Sequence, residues 1–298
     1  MSNEADAGWP LEPWTVQLLG DVRRRGYTPG AWMLLLGSAW RRAQDTARRE
    51  TVLVHAWQRL ALALVTAAAL PVALAWRRQG PRRACRMGCV LMAGIAWQQA
   101  DTYLHLGMNR RLDDGVLLAD LGAALWLTSL RGAAASYLLA TTVVGPDLLV
   151  LAPGTVVVGA LTDALDGPVA RRQRHATKLG AYADGEADVM LAVALTMAAV
   201  RRGTLPVTAA WWLLGARYVL PVSMACGVAF IHGRSPRLGH TLAGQLCGVA
   251  QAGLMACALA PHSCQRAAYG PRRLLLPQTA VLAVTSGVLQ VRRMVRAR

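Results

Sequence analysis

Long apolar runs with short polar connections fill most of the chain after residue 115. Runs of this length and composition are typical of helices that cross a membrane. They lie near residues 121–143, 148–170, 179–200, 205–231, 240–260 and 274–291. The pattern predicts an all-α integral membrane protein whose membrane domain covers residues 116–298.

The region before it, residues 1–115, is more mixed. Its first apolar piece, Ala31 to Leu36, is too short to span a bilayer. Val52 to Trp76 contains a long apolar run and Met87 to Trp97 a shorter one, so the two can form a helical hairpin. With a cytoplasmic N-terminus, the arginines between them would lie on the outer face, against the positive-inside rule. The topology of this helical region is left open, and we expect it to associate with the cytoplasmic membrane surface without contributing to an active site.

Composition supports a membrane protein. Hydrophobic residues make up 54% of the 298 positions and charged residues only 16%, against about 25% charged in an average soluble domain. The net charge of +16 is almost all arginine and collects at the ends of apolar segments. Arginines next to a membrane set the orientation of the protein and bind anionic lipid headgroups, so nucleic-acid binding is not expected.

The cysteines give no sign of a disulfide framework, and no cleavable signal peptide is expected. Most of them lie within apolar stretches, where cysteine behaves as a small hydrophobic residue. We therefore predict that they are buried and unpaired. The set is Cys85, Cys89, Cys226, Cys247, Cys257 and Cys264.

Four carboxylates interrupt the apolar sequence between residues 163 and 188. The full pattern is Asp163-x2-Asp166-Gly167-x2-Ala170-Arg171-x8-Gly180-x3-Asp184-x3-Asp188. A carboxylate at membrane depth costs roughly 3 kcal/mol on insertion scales, so the group needs compensating positive charge. Spacings of three and four residues place each pair on one helical face. Two neighbouring helices can thus direct all four carboxylates to one point.

Carboxylate ligands without histidine or cysteine suit hard cations such as Mg²⁺ or Mn²⁺. Two such ions about 4 Å apart can activate an attacking oxygen and stabilise a leaving phosphate. The predicted ligands are Asp163, Asp166, Asp184 and Asp188. Gly167 and Ala170 are small and leave the helix backbone open to close approach. Arg171 has the fork-shaped guanidinium that suits phosphate groups.

With all eight positions at these spacings, the sequence resembles the CDP-alcohol phosphotransferase family. The resemblance covers roughly residues 120–295 and implies a core of six transmembrane helices. It implies transfer of a phosphatidyl group from CDP-diacylglycerol, or a related CDP-alcohol, to a hydroxyl acceptor, with release of CMP. It also implies a divalent-metal-dependent enzyme of phospholipid biosynthesis, and we expect a homodimer.

The resemblance assigns roles to the signature residues. The CDP site is formed by Asp163, Gly167, Ala170, Arg171 and Gly180. Asp188 resembles the general base that takes the proton of the acceptor hydroxyl, while Arg171 holds charge on the departing CMP. Many relatives also carry an Asn-x2-Thr-x2-Arg pattern on the first core helix. In this sequence Thr128 and Arg131 match the pattern, but Leu125 replaces the asparagine.

Arg217 lies within an apolar segment, where arginine is a functional candidate by default, and we place it near the acceptor. With both ends of the core in the cytoplasm, more cations lie on the inner side than on the outer side. This predicts a plasma-membrane protein whose site faces the cytoplasm. His175 and His240 are interpreted as solvated loop residues, and Asp101 and His105 as packed or solvated residues that form no functional set.

The identity of the acceptor stays open. Glycerol 3-phosphate, inositol phosphate, serine and another lipid all agree with the signature. Two other kinds of protein can also use four aspartates: a non-catalytic membrane scaffold and a divalent-cation transporter. A transporter has no need for Gly167, Ala170 and Arg171, so the pattern favours the enzyme.

Overall fold

A computed structural model describes residues 13–145, 152–232 and 241–296, and these are almost entirely helical. The helices before the aspartate motif are α1 (Pro13–Arg24), α2 (Pro29–Arg49), α3 (Thr51–Gln79), α4 (Pro81–Leu104) and α5 (Gly122–Val144). The remaining helices are α6 (Ala152–Arg172), α7 (Lys178–Arg201), α8 (Val207–Leu214), α9 (Leu220–His232), α10 (Leu242–Ala258) and α11 (Gln265–Arg296). A π-helical turn, Gly215–Val219, joins α8 to α9.

Within the described part of the chain, three segments are both long and apolar enough to cross a membrane. They are Thr51–Gln79, Val207–Ile231 and Gln265–Met294. The expected core segments all contain helices, although the starts of the second and fifth expected spans fall outside the described residues. The count of six spans therefore stays a prediction.

The chain forms two compact units. The first contains Met1–Ala39, Leu205–Ala258 and Ser263–Arg298, and the second contains Trp40–Thr204 and Leu259–His262. The domain boundary predicted near residue 115 lies inside the second unit. That prediction divides the chain by family resemblance, and it stays a prediction.

The first unit is built around α11, which packs against α8, α9, α10 and the π-helical turn. Gly287 permits the close approach, because a Cβ at this position would collide with the backbone carbonyl of Ala216. The helix α1 and its following turn pack on the end of α9, where the Tyr27 hydroxyl donates a 2.9 Å hydrogen bond to the Phe230 carbonyl.

The second unit contains the expected helical hairpin of α3 and α4. Gly80 makes the turn between them at φ 84°, a conformation that favours glycine, and Pro81 occupies the first position of α4. The hairpin packs on α5 through small residues: a Cβ on Gly94 would collide with Ser136, and one on Gly132 would collide with Gln98. These pairings make α4 and α5 antiparallel.

Many large apolar side chains are exposed, including Leu62, Leu70, Trp211 and Val249. Such a surface agrees with contact with lipid rather than water. It also corrects the prediction about the cysteines. All are free, but only Cys247 is buried and Cys257 half-buried, while the other four are exposed. On a helix face that contacts lipid, a cysteine side chain is compatible with the hydrocarbon, so it does not need to be buried within the protein.

Candidate active site

One arginine lies at the centre of the four carboxylates. Arg131, on α5, has a side chain with 0% exposure, and its guanidinium contacts Asp163 and Asp166 on α6 and Asp184 and Asp188 on α7. The N–O distance is 3.2 Å to Asp163 and 3.0 Å to Asp184, and the pairs with Asp166 and Asp188 are also direct. We call these five residues the aspartate cluster.

Local sequence explains how each helix presents its acids. Asp163 and Asp166 are three residues apart on α6, and Asp184 and Asp188 are four apart on α7, so each pair lies on one face. The start of α7 is fixed by Thr177, whose hydroxyl accepts a 3.0 Å hydrogen bond from the Gly180 amide.

A loop from the preceding segment also holds this helix end. The Leu112 amide donates to the Ala176 carbonyl at 2.9 Å, and the Lys178 amide donates to the Arg110 carbonyl at 2.9 Å. These backbone bonds hold the start of α7 against the segment between α4 and α5.

The carboxylates suit a divalent cation. Asp163, Asp166 and Asp184 each offer an oxygen, and these oxygens lie within 4.8 Å of one another. Four carboxylates against one guanidinium leave net negative charge. Asp184 Oδ1 is buried without a hydrogen bond, although it forms an ion pair with Arg131. An all-oxygen set with an incompletely satisfied buried oxygen fits Mg²⁺ or Mn²⁺. Asp188, the fourth predicted ligand, joins the cluster through Arg131.

The small residues of the motif occupy tight positions. A Cβ on Gly167 would lie 3.2 Å from the Arg171 guanidinium, so the glycine leaves room for that side chain. Gly180 lies over the Thr177 hydroxyl, 3.3 Å from where its Cβ would be, and so also serves the start of α7. Ala170 is half-buried and Arg171 exposed at the end of α6.

Arg217 belongs to the first unit, where it lies in the π-helical turn. Its guanidinium carbon is 5.3 Å from the centre of the Tyr218 ring, and Gly248 leaves space for the side chain. Because the aspartate cluster belongs to the second unit, the predicted role of Arg217 at the acceptor stays a prediction.

The central position of Arg131 was missed by sequence reasoning. The resemblance relates Thr128 and Arg131 to a pattern of the relatives, but it does not place Arg131 among the four acids. The structure places Thr128 beside the cluster as well, with its hydroxyl 3.4 Å from Asp166 Oδ2. The available signal was the rule already applied to Arg217, that an arginine in an apolar segment marks a functional candidate.

A second polar group joins the opposite face of α7 to α4. The Trp97 indole donates a 2.9 Å hydrogen bond to Glu186, and the Tyr182 hydroxyl donates a 3.2 Å bond to Asp101. His105 Nδ1 lies 3.3 Å from Asp101 Oδ1, and its ring centre is 4.4 Å from that of Tyr182. We call these five residues the α4–α7 cluster.

The α4–α7 cluster agrees with the interpretation of Asp101 and His105 as packed residues, and whether they have a functional role stays a prediction. Burial alone disfavours the charged imidazole, but the hydrogen bond and negative charge of Asp101 outweigh it and raise the pKa of His105. His175 is also not a solvated residue. Its side chain is only 14% exposed and its Nε2 lies 3.1 Å from Asp120 Oδ1, beneath Gly122 at the start of α5. His240 lies outside the described residues.

Comparison with known protein families gives a match to the part of the chain that contains the aspartate cluster. The family model described as CDP-alcohol phosphatidyltransferase matches residues 121–288, more than half of the sequence. The chain therefore belongs to the CDP-alcohol phosphatidyltransferase family, which confirms the resemblance of its motif. Searches of curated proteins and of solved structures gave no significant match. Family membership and the apolar helices make this a membrane protein with transferase character.

Proposed function

We propose that the protein transfers a phosphatidyl group from CDP-diacylglycerol to a hydroxyl acceptor and releases CMP. The observation that carries this proposal is the convergence of acids from α6 and α7, within 4.8 Å of one another, inside the region that matches the family. Asp163, Asp166 and Asp184 would hold Mg²⁺ or Mn²⁺, with Asp188 as a further ligand. The cation supplies charge neutralisation for the carboxylates and for the diphosphate of the donor.

The protein's own groups bind and orient the donor. Gly167 and Ala170 leave the surface of α6 open to the cytidine and ribose, and Gly180 does the same at the start of α7. Asp163 also contacts the nucleotide. Arg171, exposed at the end of α6, pairs with the diphosphate and with the CMP phosphate as it leaves.

Asp188 is the proposed general base. It accepts the proton of the acceptor hydroxyl, whose oxygen forms a bond to the lipid-side phosphorus while the bond from that phosphorus to the CMP oxygen breaks. Asp188 is suited to this role because its side chain is 48% exposed and it lies outside the group of three acids whose oxygens converge within 4.8 Å. A base must reach the incoming acceptor, and a partly exposed acid can do so.

The proposal includes a setting for the reaction. The protein is a plasma-membrane homodimer whose site faces the cytoplasm, where a water-soluble acceptor is available, and Arg217 contributes to acceptor binding. The basic residues next to the site, Arg171, Arg172, Arg174 and Lys178, support contact with anionic lipid on that side.

The test is an assay of purified protein with radiolabelled CDP-diacylglycerol, Mg²⁺ or Mn²⁺, and a panel of hydroxyl acceptors. We expect stoichiometric CMP and one labelled lipid whose headgroup identifies the acceptor. Arg172→Gln, an exposed neighbour outside the motif, is the matched control for Arg171→Gln. Uptake of the divalent cation into vesicles without CMP release would instead support a transporter and overturn the proposal.

A further inference from the structure

The hairpin of α3 and α4 carries an open apolar groove on the second unit, outside the region that matches the family. The groove has a volume of about 590 Å³. Residues that line it include Val65, Val72, Trp76 and Arg77 on α3 and Gly88 and Met92 on α4. The two helices are in contact at Gly88, where a Cβ would lie 3.6 Å from Val72, an ordinary van der Waals distance.

The dimensions of the groove match one lipid chain. From Val65 to Arg77 the helix rises about 18 Å, close to the roughly 15 Å of one leaflet of the hydrocarbon core. The helix α3 is itself long and apolar enough to cross the membrane. Trp76 and Arg77 at one end of the groove are the residue types that anchor at the headgroup level, so this end would lie at the membrane surface.

Positive charge is concentrated at that same end. Besides Arg77, exposed arginines lie at the end of α3, at position 78, and in the first turns of α4, at positions 82, 83 and 86. The α3–α4 turn lies at the end of the unit away from the aspartate cluster, because Asp101 pairs with Tyr182 and Trp97 with Glu186, which makes α4 antiparallel to α7. The substrate site therefore does not account for the groove.

Membrane topology does not account for this charge either. A second basic group lies where α6 ends and α7 begins. Since α4 is antiparallel to α7, this group lies at the other end of α4 from the α3–α4 turn. Its members are Arg171, Arg172, Arg174 and Lys178. If these helices cross the bilayer, the two groups lie on opposite sides, and the positive-inside rule explains only one of them. An anionic headgroup supplies charge complementary to that of Arg77, Arg78, Arg82 and Arg86.

We propose that the α3–α4 groove binds an anionic phospholipid, with one acyl chain along the groove and the phosphate held by Arg77 and the neighbouring arginines. The apolar lining accepts the chain, and the guanidinium groups select a headgroup with net negative charge over a zwitterionic one. This site is separate from the aspartate cluster and does not rest on the proposed reaction.

Trp76 reports directly on the occupant, because bromine on an acyl chain quenches nearby indole fluorescence. The full-length protein is reconstituted in vesicles of phosphatidylglycerol in phosphatidylcholine, with bromine on the chains of one lipid or of the other. The Trp76 signal is the difference between the wild type and Trp76→Phe. We expect stronger quenching of this signal by the brominated anionic lipid at equal mole fraction.

Two pairs of variants separate the headgroup from the chain. Arg77→Gln should lower the preference for the anionic lipid about fivefold, equivalent to about 1 kcal/mol. Its control, Arg201→Gln, changes an exposed arginine outside the groove and should leave the preference unchanged. Ala69→Leu with Ala73→Leu fills the groove and should remove quenching by both brominated lipids, whereas Ala67→Leu, exposed on α3 outside the groove, should not.

Equal quenching by the two lipids in the wild type would overturn the proposal, as would a groove-filling variant that is quenched like the wild type. Either result would mean ordinary contact with surrounding lipid. CMP release is measured on the same samples. A protein without the lipid preference that still releases CMP would contradict only this proposal. A protein with the lipid preference that releases no CMP would contradict only the proposed function.

Discussion

Helix α7 carries polar side chains on two faces, and the two faces differ in what surrounds them. On one, Asp184 and Asp188 meet α5 and α6 at a buried guanidinium, with excess negative charge left over. On the other, Tyr182 and Glu186 pair with donors and acceptors of α4. The first arrangement leaves capacity for a cation and a substrate, while the second uses its polar atoms to join helices.

This contrast separates two reasons for placing acids in an apolar helix. A cluster built for chemistry keeps unsatisfied ligand capacity, whereas a cluster built for assembly satisfies its members. We therefore expect substitutions on the first face to act on turnover and metal binding, and substitutions on the second face to act mainly on stability.

The largest effect is expected at the acids that converge on one point. Asp166→Asn or Asp184→Asn should lower CMP release by orders of magnitude, because each removes a charged ligand. EDTA should do the same to the wild type, with recovery on adding Mg²⁺. CMP release and Mn²⁺ binding by electron paramagnetic resonance are the measurements. Full activity in EDTA would remove the distinction between the two faces.

Asp188→Asn should abolish turnover while leaving binding of CDP-diacylglycerol largely intact, since a base acts in the chemical step. Binding is measured by displacement of labelled nucleotide, and turnover by CMP release. A variant that loses nucleotide binding but keeps its maximal rate would make Asp188 a ligand only, with the base elsewhere.

Arg131→Gln tests the centre of the aspartate cluster. Removing one partner of a buried ion pair costs about 3 to 5 kcal/mol, and we expect about 3 kcal/mol here, the low end of that range, because three of its acids are partly exposed. Mg²⁺ should restore much of this loss, since a cation replaces the missing charge. Thermal unfolding with and without Mg²⁺ measures both effects, with Arg172→Gln as control. A variant as stable as the wild type without metal would contradict the central role of Arg131.

On the opposite face, Tyr182→Phe removes the 3.2 Å hydrogen bond to Asp101. We expect a stability loss of about 1 kcal/mol, the usual worth of such a bond, and activity within about tenfold of the wild type once the protein is folded, a rate change worth about 1.4 kcal/mol of barrier. Unfolding and CMP release are measured on the same preparation. A normal melting curve with a collapsed rate would show that this face also takes part in the reaction.

The smallest effect concerns pH. Because folding raises the pKa of His105, its charged form stabilises the protein fully below the pKa of unfolded histidine, about 6.5. This contribution, under about 1 kcal/mol, is lost as pH rises through the higher pKa of the folded state. The groups that face the ring are Asp101 from α4 and Tyr182 and Glu186 from α7. His105→Asn should flatten the stability profile over this range, and a profile identical to the wild type would contradict the assignment.

Part of the site could be predicted because the helical repeat is a local property. The spacing of Asp163, Asp166, Asp184 and Asp188 dictates which side chains share a face once each segment is a helix. The oxygen-only ligand set and the family followed from the same residues. The hairpin of α3 and α4 could be predicted for a similar reason, since two apolar runs are separated by a short basic segment.

Other features depended on contacts between distant parts of the chain. An arginine in an apolar segment marks a functional candidate, but this does not indicate that Arg131 lies among acids more than thirty positions away. Trp97 and Glu186 are 89 residues apart, and Asp101 becomes part of a cluster only because α4 packs antiparallel to α7. The exposure of the cysteines likewise depends on which helix faces are covered.

The sequence by itself determined the helices, the membrane character and the set of acids, because apolar length and helical periodicity act within a single segment. Only the tertiary structure decided that Arg131 supplies the internal counter-charge and that a groove opens between α3 and α4. It also decided that side chains of α4 pair with the face of α7 opposite the aspartate cluster. These depend on how helices pack, and packing is set by the shapes and charges of residues brought together from separate segments.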